Sequence, residues 1–175
     1  DTVLLIIDIQ EKLVRAIPDE SVIINNAKKI IDTFKLLKLV IFHTEQNPLK
    51  LGKTIKALGL ENVSPLITKM TFSCCSDEIL NNELKTRNIK NVIIAGVESH
   101  VCVLQTSLDL ISMGYNIFVP IDAIGSRNMI DHKAALIRMQ QSGCIISSTE
   151  SLIFELCNTA ERGEFKVISS IIKRS

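Results

Sequence analysis

Residues 2–8 read Thr2-Val3-Leu4-Leu5-Ile6-Ile7-Asp8. Five consecutive apolar residues run straight into a carboxylate. A strand with one solvated face alternates apolar with polar residues, so an unbroken run marks a strand covered on both faces, as in parallel sheets. Runs of the same kind recur at Lys38–Thr44 (KLVIFHT), Asn91–Gly96 (NVIIAG), Tyr115–Val119 (YNIFV) and Cys144–Ser147 (CIIS). A weaker strand is expected near Pro65–Lys69. Helical spacing lies between them: Ile23, Ala27, Ile30, Ile31 and Phe34; Leu104, Leu108 and Ile111; Ala135, Leu136 and Met139; Leu152, Ile153 and Leu156. Gly114 stands where a helix C-cap glycine is expected. Strands alternating with helices predict βαβ units with right-handed crossovers and a sheet with helices on both faces. The longest irregular stretch, about Glu45–Lys53, contains Pro48 and Gly52 and reads as a loop over the site.

The chain has 175 residues, 46% of them hydrophobic, and its 20 Lys+Arg against 19 Asp+Glu give a net charge of +1. That length predicts one domain over residues 1–175. The balance of charge offers no general basic field for nucleic acid or an anionic membrane, and the apolar content excludes disorder. No apolar run reaches about 18 residues, so no membrane span is expected. Five cysteines (Cys74, Cys75, Cys102, Cys144, Cys157) form no disulfide framework, which points to a reducing, cytoplasmic setting. Residues 1–9 are too short and too acidic for a signal peptide. A start at Asp1 rather than methionine leaves an upstream targeting segment open.

In an open α/β sheet, ligands bind beyond the carboxyl ends of the strands. The first strand ends in Asp8, the second in His43-Thr44-Glu45, the weak third in Lys69, and the fourth in Gly96-Val-Glu-Ser-His-Val-Cys102. Asp8 is either a helix cap or structural ion pair, or a working carboxylate. Cys102 opens the next helix, where backbone N–H groups favour a thiolate and can hold an oxyanion; the alternative is a small buried hydrophobe. Lys69 in isolation reads as a solvated lysine, but near Cys102 its charge would lower the thiol pKa.

Other motifs are missing. Gly96-Val-Glu-Ser-His is no serine elbow, and neither a dinucleotide nor a P-loop glycine pattern is present. The Cys74-Cys75 pair lacks the spacing of a zinc site. His100, two residues before Cys102, is a possible base, although neighbours on a turn usually point apart; His43 reads as a strand-end polar residue and His132 as a surface helix residue.

Taken together, Leu5-Ile-Ile-Asp-Ile-Gln10, Lys69-Met-Thr-Phe-Ser73 and Gly96-Val-Glu-Ser-His-Val-Cys102 resemble the isochorismatase-like cysteine hydrolases, in the family's order and over Thr2 to about Phe165. Thr44-Glu-Gln-Asn-Pro48 and Arg138-Met-Gln-Gln-Ser-Gly143 look most like the eukaryotic isochorismatase domain-containing branch. The resemblance implies a three-layer α-β-α fold whose six-stranded parallel sheet has the order 3-2-1-4-5-6. It implies Cys102 as nucleophile, Asp8 as general base and Lys69 as charged partner. It also implies a cis peptide at Val97–Glu98 that turns the Glu98 N–H beside that of Cys102 as an oxyanion hole. Nicotinamidase-type members carry an Asp-x-His metal motif after the second strand; here that stretch reads His43-Thr-Glu-Gln46, so no metal and no cofactor are expected.

The implied reaction is covalent hydrolysis of a small amide or related carbonyl compound. Glu45, Gln46, Phe72, Ser73 and Ser126 are candidates for lining the pocket, with Arg127 at its rim. A homo-oligomer, dimer or larger, is expected from the family and from the apolar content. Two other readings stay open: redox-responsive thiols, which need Cys102 within about 7 Å of another cysteine, Cα to Cα, and a non-catalytic oligomeric scaffold.

Overall fold

A computed structural model describes residues 1–174. Its elements run β1 (Thr2–Ile7), α1 (Glu11–Val14), α2 (Glu20–Leu36), β2 (Val40–Gln46), α3 (Pro48–Leu51), β3 (Leu66–Lys69), α4 (Glu78–Thr86) and β4 (Asn91–Val97). They continue with α5 (Leu104–Ser112), β5 (Asn116–Pro120), β6 (Ile124–Gly125), α6 (Met129–Gln141), β7 (Ile145–Ser147), α7 (Thr149–Cys157) and α8 (Phe165–Ile172). The sheet order is β3-β2-β1-β4-β5-β7, and all of its pairings are parallel. The expected three layers and order 3-2-1-4-5-6 are therefore found, the CIIS run supplying the sixth strand of that path. A further two-residue strand, β6, pairs with β4 beyond the end of β5. Two residues are too few to leave a periodic signal, so the sequence does not announce it.

The unbroken run of β1 is explained by its place. It pairs with β2 on one side and β4 on the other, and residues 3–7 are fully buried. Val3, Leu5 and Ile7 pack under Leu80, Leu84, Leu110 and Met139 of α4, α5 and α6. Leu4 and Ile6 face Ala27, Ile30, Leu152 and Ile168 of α2, α7 and α8 on the other side. Two of these helices begin on side-chain caps: Asp77 accepts the N–H groups of Ile79 and Leu80, and Ser148 accepts that of Ser151.

Where β1 and β4 finish, Gly96 allows the strands to close up. Its φ is +144°, and a Cβ there would stand 2.1 Å from the Ile7 carbonyl oxygen. β2 runs two residues past Thr44, because Glu45 and Gln46 pair with Thr68 and Lys69 of β3. The expected loop over Glu45–Lys53 is thus strand at its start and a single helical turn, α3, after it. No helix of the described residues is long and apolar enough to cross a membrane.

Candidate active site

Three strand ends meet at the carboxyl edge of the sheet. β1 ends in Asp8, whose φ of +52° lies in the left-handed region that non-glycine residues seldom adopt. The Asp8 side chain is completely buried. Its Oδ1 accepts a hydrogen bond from Thr44 Oγ1 at 2.6 Å, and its Oδ2 accepts one from Lys69 Nζ at 2.7 Å. Lys69, at the end of β3, also donates to Gln46 Oε1 at 2.8 Å and to the Phe72 carbonyl at 3.0 Å. The ammonium has three protons, and these three short contacts use them. Lys69 is only 6% exposed. The solvated lysine that its sequence suggests in isolation is instead half of a buried ion pair.

The remaining corner is Cys102, 5% exposed, which lies in a short π-helical turn over Ser99–Val103 that leads into α5. The peptide bond before this turn, Val97–Glu98, is cis. Groups from the β6–α6 connection and from α6 hold residues 98–100. Glu98 accepts from the Arg127 backbone N–H at 2.9 Å and from Arg127 Nε at 3.0 Å. Ser99 Oγ bonds His132 Nδ1 at 3.0 Å, and His100 Nδ1 bonds Ser126 Oγ at 2.9 Å. His132 is therefore no free surface residue, and burial lowers its pKa.

The electrostatics overturn one expectation. The Cys102 thiol was expected to be pulled toward the thiolate; it is pushed up to about 12. Burial is the main cause, followed by the Asp8 carboxylate, which repels a thiolate; Lys69 opposes both. Burial works against the Lys69 ammonium, yet its pKa is held above the ordinary value, chiefly by the Asp8 carboxylate beside it. At rest the site therefore contains a carboxylate, an ammonium and a neutral thiol.

Of the expected pocket residues, Gln46 joins the cluster through Lys69, and Ser126 joins it at one remove through His100. Glu45 does not. Side chains alternate along a strand, so Thr44 and Gln46 face Asp8 and Lys69 while Glu45 points to the opposite face, where it accepts the Thr54 N–H at 2.6 Å. Phe72 contributes its carbonyl rather than its ring, which is half exposed. Ser73 caps the turn at Cys74–Ser76 and donates to Asp109 at 2.5 Å, so its hydroxyl is committed to structure.

Two residues went unpredicted. Thr44 holds the second carboxylate oxygen. Gln10, fully buried, bonds Gln46 through both its N–H and its carbonyl, at 2.7 and 3.1 Å, and bonds the Gly52 carbonyl at 2.6 Å. The signal for Gln10 was its place, a polar residue directly after a buried strand. Among the described residues no three His, Cys, Asp or Glu side chains are grouped to hold a metal.

The sequence matches the Isochorismatase domain family over residues 2–151. It is 37% identical to human isochorismatase domain-containing protein 2 over 98% of this chain and 83% of that protein. The fold superposes on a structure described as MAR1 ribonuclease from Caenorhabditis elegans with a TM-score of 0.94 at 35% identity, covering 100% of this chain and 91% of the other. It is also similar to YcaC of Escherichia coli, described as an octameric hydrolase of unknown specificity, with a TM-score of 0.84 at 26% identity over 92% and 81% of the two chains. With the fold, the strand-end cluster and these matches in agreement, the chain belongs to the isochorismatase family.

Proposed function

We propose that this protein is a cysteine hydrolase acting on a small amide or related carbonyl compound. The observation that supports it most is the buried contact of 2.7 Å between Lys69 and Asp8, two charges that both act on the Cys102 thiol. In this reading Asp8 takes the thiol proton as sulfur attacks the carbonyl carbon. The negative charge thereby passes from the carboxylate to sulfur and stays beside the adjacent Lys69 ammonium, which stabilises it in either place. Backbone N–H groups of Glu98 and Cys102 receive the developing oxyanion. Collapse of the tetrahedral intermediate breaks the bond to the leaving group, which departs with the proton held on Asp8. Asp8 then draws a proton from water, hydroxide equivalent attacks the thioester, and the acid leaves as the thiol is restored.

The clasp on residues 98–100 from Ser126, Arg127 and His132 keeps this turn in place during the cycle. A resting thiol with a pKa of about 12 suits the scheme, because proton transfer then accompanies attack rather than preceding it.

A small-molecule substrate is favoured over RNA. Twenty basic and nineteen acidic residues leave no excess positive charge for a phosphate backbone, and the cation nearest the thiol is already paired with Asp8. Like the octameric relative, the protein is proposed to work as a homo-oligomer. The test is a panel of small amides, esters and an RNA oligonucleotide, run with the parent protein and Cys102→Ala. Turnover of an amide or ester that vanishes in Cys102→Ala supports the proposal; RNA cleavage alone, or turnover that survives the substitution, rejects it.

A further inference from the structure

A cavity of about 240 Å3 opens on the face of β2 away from Asp8 and Lys69. Its apolar half is formed by Ile55, Leu60, Val63 and Leu66. Its polar end is His43, Glu45 and Thr54. At ~30 Å3 for each water-sized unit, it has room for about eight non-hydrogen atoms.

The polar end is under-satisfied. Glu45 is 95% buried by its 5% exposure, and its one hydrogen bond among the described residues is to the Thr54 N–H, through Oε1. The second carboxylate oxygen has no protein partner among the described residues and is not sealed from the open space of the cavity. His43 Nε2 contacts the Val63 carbonyl at 2.9 Å and donates to it, while the buried Nδ1 has no partner among the described residues. Four buried side-chain polar atoms lack a partner among the described residues, and two of them, His43 Nδ1 and Thr54 Oγ1, belong to residues lining this one cavity. Such atoms are ordinarily paired, and each left unpaired carries a desolvation cost. The closed end thus offers a ligand the Glu45 carboxylate, His43 Nδ1 and the Thr54 hydroxyl. At the mouth, exposed Lys53 and Glu61 offset each other in charge, which leaves Glu45 as the uncompensated charge of the cavity.

We propose that this cavity binds a small organic ammonium, its N–H donors on Glu45 and its alkyl body against Leu60 and Val63. A carboxylate-bearing ligand is disfavoured by the same charge, and a neutral hydrocarbon would displace water from the free Glu45 oxygen without replacing its hydrogen bond. The wall that carries Thr54 is tied to the chain just past Asp8, by Ile55 N to Ile9 O at 3.0 Å and Glu11 N to Lys53 O at 3.1 Å. The site thus lies behind the catalytic edge without sharing its side chains, and it does not depend on the proposed hydrolysis.

The probe is isopentylammonium chloride, titrated calorimetrically into the intact protein at neutral pH, with isopentanol as its neutral counterpart. Saturable binding of the ammonium is expected, with isopentanol about tenfold weaker or worse, as loss of a charge-assisted contact gives. Glu45→Gln should weaken the ammonium by a similar factor, Glu61→Gln at the mouth by less than about threefold, and Cys102→Ala not at all. Equal affinity for the two probes in the parent protein overturns the proposal, and this comparison needs no folded variant. So does the lack of saturation by about 10 mM, or binding that Cys102→Ala abolishes, which would place the probe in the catalytic site instead.

Discussion

Lys69 Nζ stands 2.7 Å from Asp8 Oδ2, with both side chains almost wholly out of water. Two charges in such a place stabilise each other only as a pair. Lys69→Met would leave the Asp8 carboxylate in the core with Thr44 as its remaining partner. The expected cost is about 3–5 kcal/mol, because a lone buried charge is worse than either the pair or neither. Adding Asp8→Asn to Lys69→Met should recover part of it. Urea unfolding of the parent, the two single variants and the double variant measures this. A loss below about 1 kcal/mol for Lys69→Met would mean that the pair behaves like a solvated one.

Alkaline pH should destabilise the fold. Burial is the first cause in each case that raises the thiols of Cys74 and Cys144 to about 11 and those of Cys75 and Cys102 to about 12, from 9.0. A raised folded-state pKa gives stability that is whole below 9.0 and declines as pH climbs toward the folded values, because the unfolded chain releases its protons first. Lys69 acts in the same direction above 10.5. Urea midpoints should hold steady from about pH 7 to 9 and then fall, with a shallower fall in Cys144→Ala. A midpoint unchanged up to about pH 10.5 would contradict the buried neutral thiols.

Gln10, just past β1, ties the end of β2 by two hydrogen bonds with Gln46 and the Gly52 carbonyl by a third, all through a fully buried amide. Gln10→Leu strands the Gln46 N–H and two carbonyls, and a loss of about 1–3 kcal/mol follows. Gln46 also holds Lys69, so turnover should fall further than stability alone explains. Thermal unfolding beside kcat on a working substrate separates the two effects. Unchanged kcat in a destabilised variant would confine Gln10 to the fold.

Gly96→Ala should fail to give folded protein. The new methyl would meet the Ile7 carbonyl oxygen at 2.1 Å, and that oxygen belongs to the central strand and has no room to retreat. The positive φ adds its own penalty. Soluble yield and far-UV circular dichroism report the outcome; a folded variant with native stability would show that β1 and β4 are less tightly apposed.

The sheet was legible because burial on both faces leaves an unbroken apolar run, and Val3–Ile7 and Val92–Ala95 both sit in the core. The strand-end carboxylate and the cysteine were legible because parallel strands deliver their ends to one edge. Glu45 was misplaced through neglect of period-two alternation, which sends it to the opposite face from Thr44 and Gln46. The Cys102 thiol was misjudged because sequence shows a neighbouring cation and a helix start but not the depth of burial, and burial outweighs both here. β6 was hidden because two residues have no periodicity.

The most direct measurement of the central claim is capture of a thioester on Cys102. The parent protein is mixed with a turned-over amide or ester, quenched in acid within the first turnovers, and read by peptide mass spectrometry. The predicted result is an added acyl mass on the peptide bearing Cys102, removable by hydroxylamine and missing in Cys102→Ala, with turnover lost in Asp8→Asn. Sustained turnover with no adduct on Cys102, and with full activity in Cys102→Ala, would contradict the account.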